Sequence, residues 1–362
     1  QWEQERQRRA GWSKRSICAW ASSPSTQPPS NSTASAPAQA QTITISTVQS
    51  VPAASNFIAM EKGYFREAGV DVRIEAIDSL SRAMAILATN QIQIAQGGIN
   101  AGYFNAVAQG LPVIMALESG STPVYHNFVL RPDLKDKIKT PADLRGRNVA
   151  VSGAGSLSTY ELSSMLETVG LRLGDVNVKT LAFPQMIPTL SNGGIDVALM
   201  VAPFMDMAIQ QGVAIPWIDP EKGYVKELPM TSLAYMASAD WIRANRETAR
   251  KVFMAIARGG RDYCQAYHHG PNRAEVIQIL LRNGIGKDFK QLDEMDWQAR
   301  SPNGAVNPAS IADLLRVFKK DGMIEKDPPL DKLVDGSFST EIEKALGPFE
   351  LINKASKLEG CR

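Results

Sequence analysis

One run in the middle of the chain, Gly153-Ala154-Gly155-Ser156-Leu157-Ser158-Thr159, has the residue types of a ligand-holding turn. Glycines let a backbone approach a ligand closely, and a helix start presents unpaired N–H groups with partial positive charge. Ser156, Ser158 and Thr159 add hydroxyl donors, so the run suits a carboxylate, sulfonate or similar anion without an arginine. It is equally the pattern of an ordinary capped helix start. It is not a phosphate-binding P-loop, because the Lys-Ser/Thr ending is missing, and no G-x-G-x-x-G dinucleotide fingerprint occurs. Gly97-Gly98-Ile99-Asn100 forms a second backbone-donor turn, with Gly98 and Asn100 as candidates. Glu118 ends a strand-like run, where a carboxylate could accept from a ligand's donor group or simply be solvated. Tyr125, His126, Phe183 and Phe204 offer apolar walls.

Reactive constellations are missing. The sequence holds no H-E-x-x-H and no G-x-S-x-G elbow, and no cysteine falls at an expected strand end. Its three cysteines, Cys18, Cys264 and Cys361, lack the spacing of a zinc ribbon or a disulfide framework. Cys264 reads as a buried thiol on a helix face, and His268-His269 as solvated. No catalytic residue, metal ligand or cofactor is assigned.

These residues need elements to position them. Thr42–Val48 alternates as a strand, and Ala53–Ala68 follows at helical spacing with Gly69 as its C-terminal glycine. Strand-like runs near 70–77, 92–95 and 111–117 then alternate with helices. The alternation repeats through Asn148–Ser152, Ser158–Val169, Val176–Leu181, Gln185–Ser191, Ile195–Val201 and Phe204–Gln211. Strand–helix alternation means mainly parallel, doubly wound sheets. Ile92-Gln93-Ile94-Ala95 overlies Ile195-Asp196-Val197-Ala198, and Gln109-Gly110 overlies Gln211-Gly212, which suggests two similar lobes. Leu228–Met236 is again strand-like, so the chain is expected to return to the first lobe and pack helices on it. Strand-end candidates for the cleft are Ser50, Ser55, Asn56, Ser79 and Ser81 in the first lobe, with Pro203 and Phe204 in the second.

Length and composition agree. At 362 residues, 44% hydrophobic and 21% charged, the chain has the make-up of a globular protein of about two domains. Its net charge of +2 is unevenly placed. Residues 1–41 hold five basic against two acidic residues, or +3, which leaves −1 for the rest. A body without net positive charge lacks the footprint of a nucleic-acid binder. Residues 22–41, with six Ser and four Pro, are expected to be disordered. The order of basic residues, small residues and Ala38-Gln39-Ala40 resembles an export signal, but the apolar run Ile17–Ala21 is shorter than the ~7–15 residues such a signal needs.

Several segments together carry a family resemblance. They are Ala59–Val72, Leu87–Ala95, Lys139–Val151, Gly155-Ser156, Asn192–Ala198 and Ser238–Asn245, spread over most of 42–345. The chain resembles the solute-binding proteins of bacterial ABC importers in the nitrate/sulfonate/taurine group, which includes relatives binding thiamine-pyrimidine precursors. The resemblance implies an α/β, two-lobed, type II periplasmic-binding-protein-like fold that closes by a hinge on a small anion or zwitterion. It further implies a periplasmic monomer that delivers its solute to permease subunits. The family's ligand segments fall on Ser50–Asn56, Ser79–Ser81, Gly97–Asn100, Ser156–Thr159 and Pro203-Phe204. The expected division is 42–130 plus 232–345 for lobe 1 and 131–231 for lobe 2, flanked by tails 1–41 and 346–362. Hinge strands are expected near Asn127–Arg131 and Ser232–Met236. The alternative is an enzyme of the same fold, pyrimidine synthase-like or desulfinase-like, although the cleft cysteine or Cys-rich segment of those branches is missing here.

Overall fold

The computed structural model describes residues 42–47, 49–77 and 80–362, and for 80–82 the backbone alone. What was expected of residues 1–41 and of Ser79 lies outside the described residues, as does the side chain of Ser81, which sits in the helix Leu80–Ala88.

The first sheet contains β1 (Ile43–Thr47), β2 (Val72–Ala76), β3 (Ile94–Gly98) and β4 (Val113–Ser121). The second contains β5 (His126–Leu130), β6 (Asn148–Val151), β7 (Asn177–Thr180), β8 (Val197–Val201) and β9 (Ile215–Ile218). The chain then returns to the first sheet as β10 (Thr231–Ser238). Spatial order is β2-β1-β3-β10-β4 in one and β7-β6-β8-β5-β9 in the other. In each, four strands run parallel and the fourth in order, β10 or β5, runs antiparallel to its neighbours. The two sheets thus share one topology, as the internal similarity suggested. Strand character follows position. Central β1 is buried at all five residues, whereas edge strand β2 exposes Arg73 and Ala76.

The chain passes between the sheets twice, over 122–125 and 219–230. The first crossing precedes the expected boundary at 130, because β5 pairs with β8 and β9. Asn127–Leu130 lies within β5, and Ser232–Met236 is the interior of β10, held on both sides.

Both faces of each sheet are covered by helices whose apolar sides pack on it. A further apolar cluster joins the helix Ala54–Glu61 to the long helix Arg246–Tyr267 and the helix Arg273–Arg282. That cluster holds the segment around Ser50–Ala53 in place, and this segment borders the cavity described next.

Candidate functional site

A cavity of about 610 Å³ lies where the carboxyl ends of β1, β3 and β8 meet the start of the helix Leu157–Glu167. Of the candidate residues, Ser50, Gly98, Tyr125, His126, Ser158, Phe183, Pro203 and Phe204 line it. Phe183 and Phe204 stack with centroids 6.0 Å apart and planes 18° from parallel, making one flat apolar wall. No lysine or arginine is found among the described residues lining the cavity, whereas Glu161 and Asp296 are.

The other described candidates are placed elsewhere. Ser55 and Asn56 are buried in the helix Ala54–Glu61: Ser55 Oγ accepts from the Arg300 guanidinium, and Asn56 Oδ1 accepts from the Tyr235 hydroxyl at 2.8 Å. Both serve the packing beneath the cavity. Helical periodicity reveals a buried face, and it does not reveal whether that face meets a cleft or another helix. Asn100 caps the helix Ala101–Ala108, its Oδ1 accepting from Tyr103 N at 3.1 Å. Glu118 faces a second cavity of about 1030 Å³ behind the crossings, together with Arg300. Burial pushes its carboxyl up to about 7, against bonds from Ser301 N and Thr231.

The hydroxyls of the Gly153–Thr159 run bond mainly among themselves. Ser156 Oγ and Thr159 Oγ1 donate to Gly153 O at 2.7 and 2.6 Å, and Ser158 Oγ lies 2.9 Å from Ser152 Oγ. Ser156 and Thr159 therefore shape the turn, and Ser152 and Ser158 line the cavity.

The same turn touches the opposite half of the protein. Ala101 N donates to Gly155 O at 2.9 Å, and Gly155 sits at φ +67°. A Cβ there would come within 2.8 Å of Ala101 Cβ. Gly155→Ala is expected to cost about 1–3 kcal/mol through the left-handed backbone and this overlap. A lowered melting temperature in fluorimetry checks it, and an unchanged one removes the contact from the account. Around it, Tyr160 Oη donates to Asp313 at 2.7 Å, and Glu167 accepts from Arg316 at 3.1 and 3.2 Å. These bonds cross from the second sheet's helix Leu157–Glu167 to the helix Pro308–Lys320. The Arg316 bond, with smaller help from Lys320 and Lys226, holds the Glu167 carboxyl below its ordinary range.

The least expected part of the wall is charged. His126 Nε2 lies 2.9 Å from Glu161 Oε1, and both side chains are buried. Beyond this contact neither Glu161 oxygen has a hydrogen-bond partner. Burial alone would lower the His126 pKa, and the adjacent Glu161 carboxylate reverses this and leaves it raised. Sequence reasoning placed His126 only as an apolar wall and passed over Glu161. A signal existed: Glu161 shares the buried face with Ser158, Leu162 and Met165, where a carboxylate is costly without a partner. Ile285, Leu292 and Met295 also line the cavity, from a segment expected only to pack on lobe 1.

A family model described as NMT1/THI5 like matches residues 53–268. No curated protein sequence matches the chain. Among solved structures, the periplasmic nitrate-binding protein NrtA from Synechocystis is similar at TM-score 0.66 and 17% identity, over 85% of this chain and 90% of that one. The periplasmic aliphatic sulphonate binding protein SsuA from Escherichia coli gives 0.64 and 17%, over 81% and 92%. DszB in complex with biphenyl-2-sulfinic acid gives 0.57 and 16%, over 84% and 99%. At such identities these likenesses establish the fold, that of periplasmic binding proteins.

Proposed function

The chain belongs to the NMT1/THI5-like family, and from that membership we propose that it is the extracytoplasmic solute-binding component of an ABC importer. It holds a small organic solute between two lobes and delivers it to permease subunits. The observation that carries the reading is the cavity walled by both sheets, with the Phe183–Phe204 pair on one side and Glu161 on another. Sulfonate- and nitrate-binding proteins among the structural neighbours support the same reading.

The lining favours a zwitterion over a bare anion. The start of the Leu157–Glu167 helix, with Ser152 and Ser158, suits a negative group. Glu161, in the lining beside His126, suits an ammonium or other donor group. The stacked phenylalanines suit a flat or apolar body between the two.

A thermal-shift screen of amino acids, sulfonates, carboxylates and pyrimidines tests this. A solute at ~100 times its Kd adds about 2.7 kcal/mol of stability, and zwitterions are expected to shift the melting point more than nitrate or simple sulfonates. Consumption of a compound without any shift would replace the binding reading with the enzyme reading that the DszB likeness keeps open.

A further inference from the structure

We infer that Cys264 and Cys361 form a disulfide that ties the end of the chain to the long C-terminal helix. The two are buried in one apolar cluster. Helix geometry brings them together. Tyr267 and His268, three and four residues beyond Cys264 on the Arg246–Tyr267 helix and its cap, lie over the same face. Tyr267 Oη donates to Glu359 O at 2.6 Å, and His268 Nε2 lies 3.0 Å from Gly360 O. The next residue, Cys361, is thereby brought beside Cys264 in that cluster, and burial together with the nearby Cys361 pushes the Cys264 thiol up. Nothing about this pair follows from the transport reading.

The two thiols are not equivalent. Cys361 also borders the second cavity, while Cys264 is not among the residues lining it. A disulfide donor such as oxidised glutathione therefore meets Cys361 first. The Cys361 thiol gives up its proton and attacks, forming a mixed disulfide and releasing one glutathione thiolate. The Cys264 thiol then gives up its proton and displaces the second thiolate, and the two protons convert both to thiols. Two protons and two electrons leave the protein, and one S–S bond forms.

The bond would also secure the crossing between the sheets. A Cβ added at Gly360 would come within 2.4 Å of Ala299 Cβ and 3.3 Å of Pro123 Cδ, and Ala299 N donates to Pro123 O at 3.0 Å. The end of the chain is thus wedged against Pro123, in the first of the two crossings.

The experiment uses the full chain, one sample incubated with oxidised and a parallel one with reduced glutathione, each alkylated after denaturation. The expected result in the oxidised sample is a fall from three alkylatable thiols to one, a mass lower by two hydrogens, and a tryptic peptide pair joining Cys264 to Cys361. A melting temperature higher in the oxidised form is expected in the parent and in Cys18→Ser, and no redox-dependent shift in Cys361→Ser or Cys264→Ser. Three free thiols after oxidation would overturn the inference, and so would a cross-link that joins Cys18 to either residue in place of the expected pair.

Discussion

His126→Leu is expected to destabilise the folded protein by roughly 3–5 kcal/mol, the usual cost of leaving one member of a buried ion pair without its partner. The leucine fills the space but strands the buried Glu161 carboxylate, whose oxygens have no hydrogen bond to fall back on. Urea denaturation at pH 6 measures the loss. The pH dependence is a sharper test. The folded pKa of His126 is raised above its unfolded value of about 6.5, since the pull of Glu161 outweighs burial. Its charge-dependent stabilisation is therefore complete below about pH 6.5 and is lost as pH rises through the folded value. The gap between parent and variant is accordingly expected to be widest at pH 5.5–6 and to narrow toward pH 9. A gap that widens with pH would mean that the imidazole is neutral in the folded state and that the carboxylate finds its stabilisation elsewhere.

Gly259→Ala is expected to cost about 3 kcal/mol, at the upper end of overpacking, and to weaken solute binding as well. Gly259 lies where the Arg246–Tyr267 helix crosses the Ala54–Glu61 helix. An added Cβ would fall 2.3 Å from Ser55 O and 3.2 Å from Ala59 N. Both are backbone atoms, so the methyl group is accommodated only by moving one helix. That movement disturbs the bond from Arg300 to Ser55 and, through Val51–Ala53, the cavity wall at Ser50–Pro52. A shift in the urea midpoint together with weaker binding of the best solute from the screen is the expected pair of results. A parent-like midpoint would show that the two helices have slack at this crossing.

The two variants mark where sequence reasoning stops. Elements built on strong periodicity were legible. The alternation of β1, the strand–helix repeats and the return of the chain at β10 all follow from local apolar patterns, which depend on each segment alone. The likeness of the two halves was legible for the same reason, because Ile92–Ala95 and Ile195–Ala198 place equivalent apolar residues on equivalent strands, β3 and β8. Strand β9 was missed: Pro216 interrupts a short, partly exposed edge strand that pairs, among the described residues, with β5 alone.

The site was legible only in outline. Gly98, Ser158, Phe183 and Phe204 occupy strand ends and helix starts, and topology alone brings such places to a cleft. Ser55, Asn56 and Thr159 have the same residue types, yet their side-chain oxygens are taken up by Arg300, Tyr235 and Gly153. Which polar side chain faces a cavity and which serves its neighbours depends on partners up to 245 residues away. His126 and Glu161 are 35 positions apart and sit on different elements, so no local pattern pairs them.

By itself, then, the sequence determined a mainly parallel α/β architecture in two similar halves and several of the strand ends that border the cavity. Those are consequences of short-range periodicity and of the limited ways parallel strands can be connected. Only the tertiary structure decided the chemistry of the cleft: a buried His126–Glu161 pair, a phenylalanine wall and no described lysine or arginine in the lining. Electrostatics and desolvation act through space, and only the folded chain says which charges are near and which are dry.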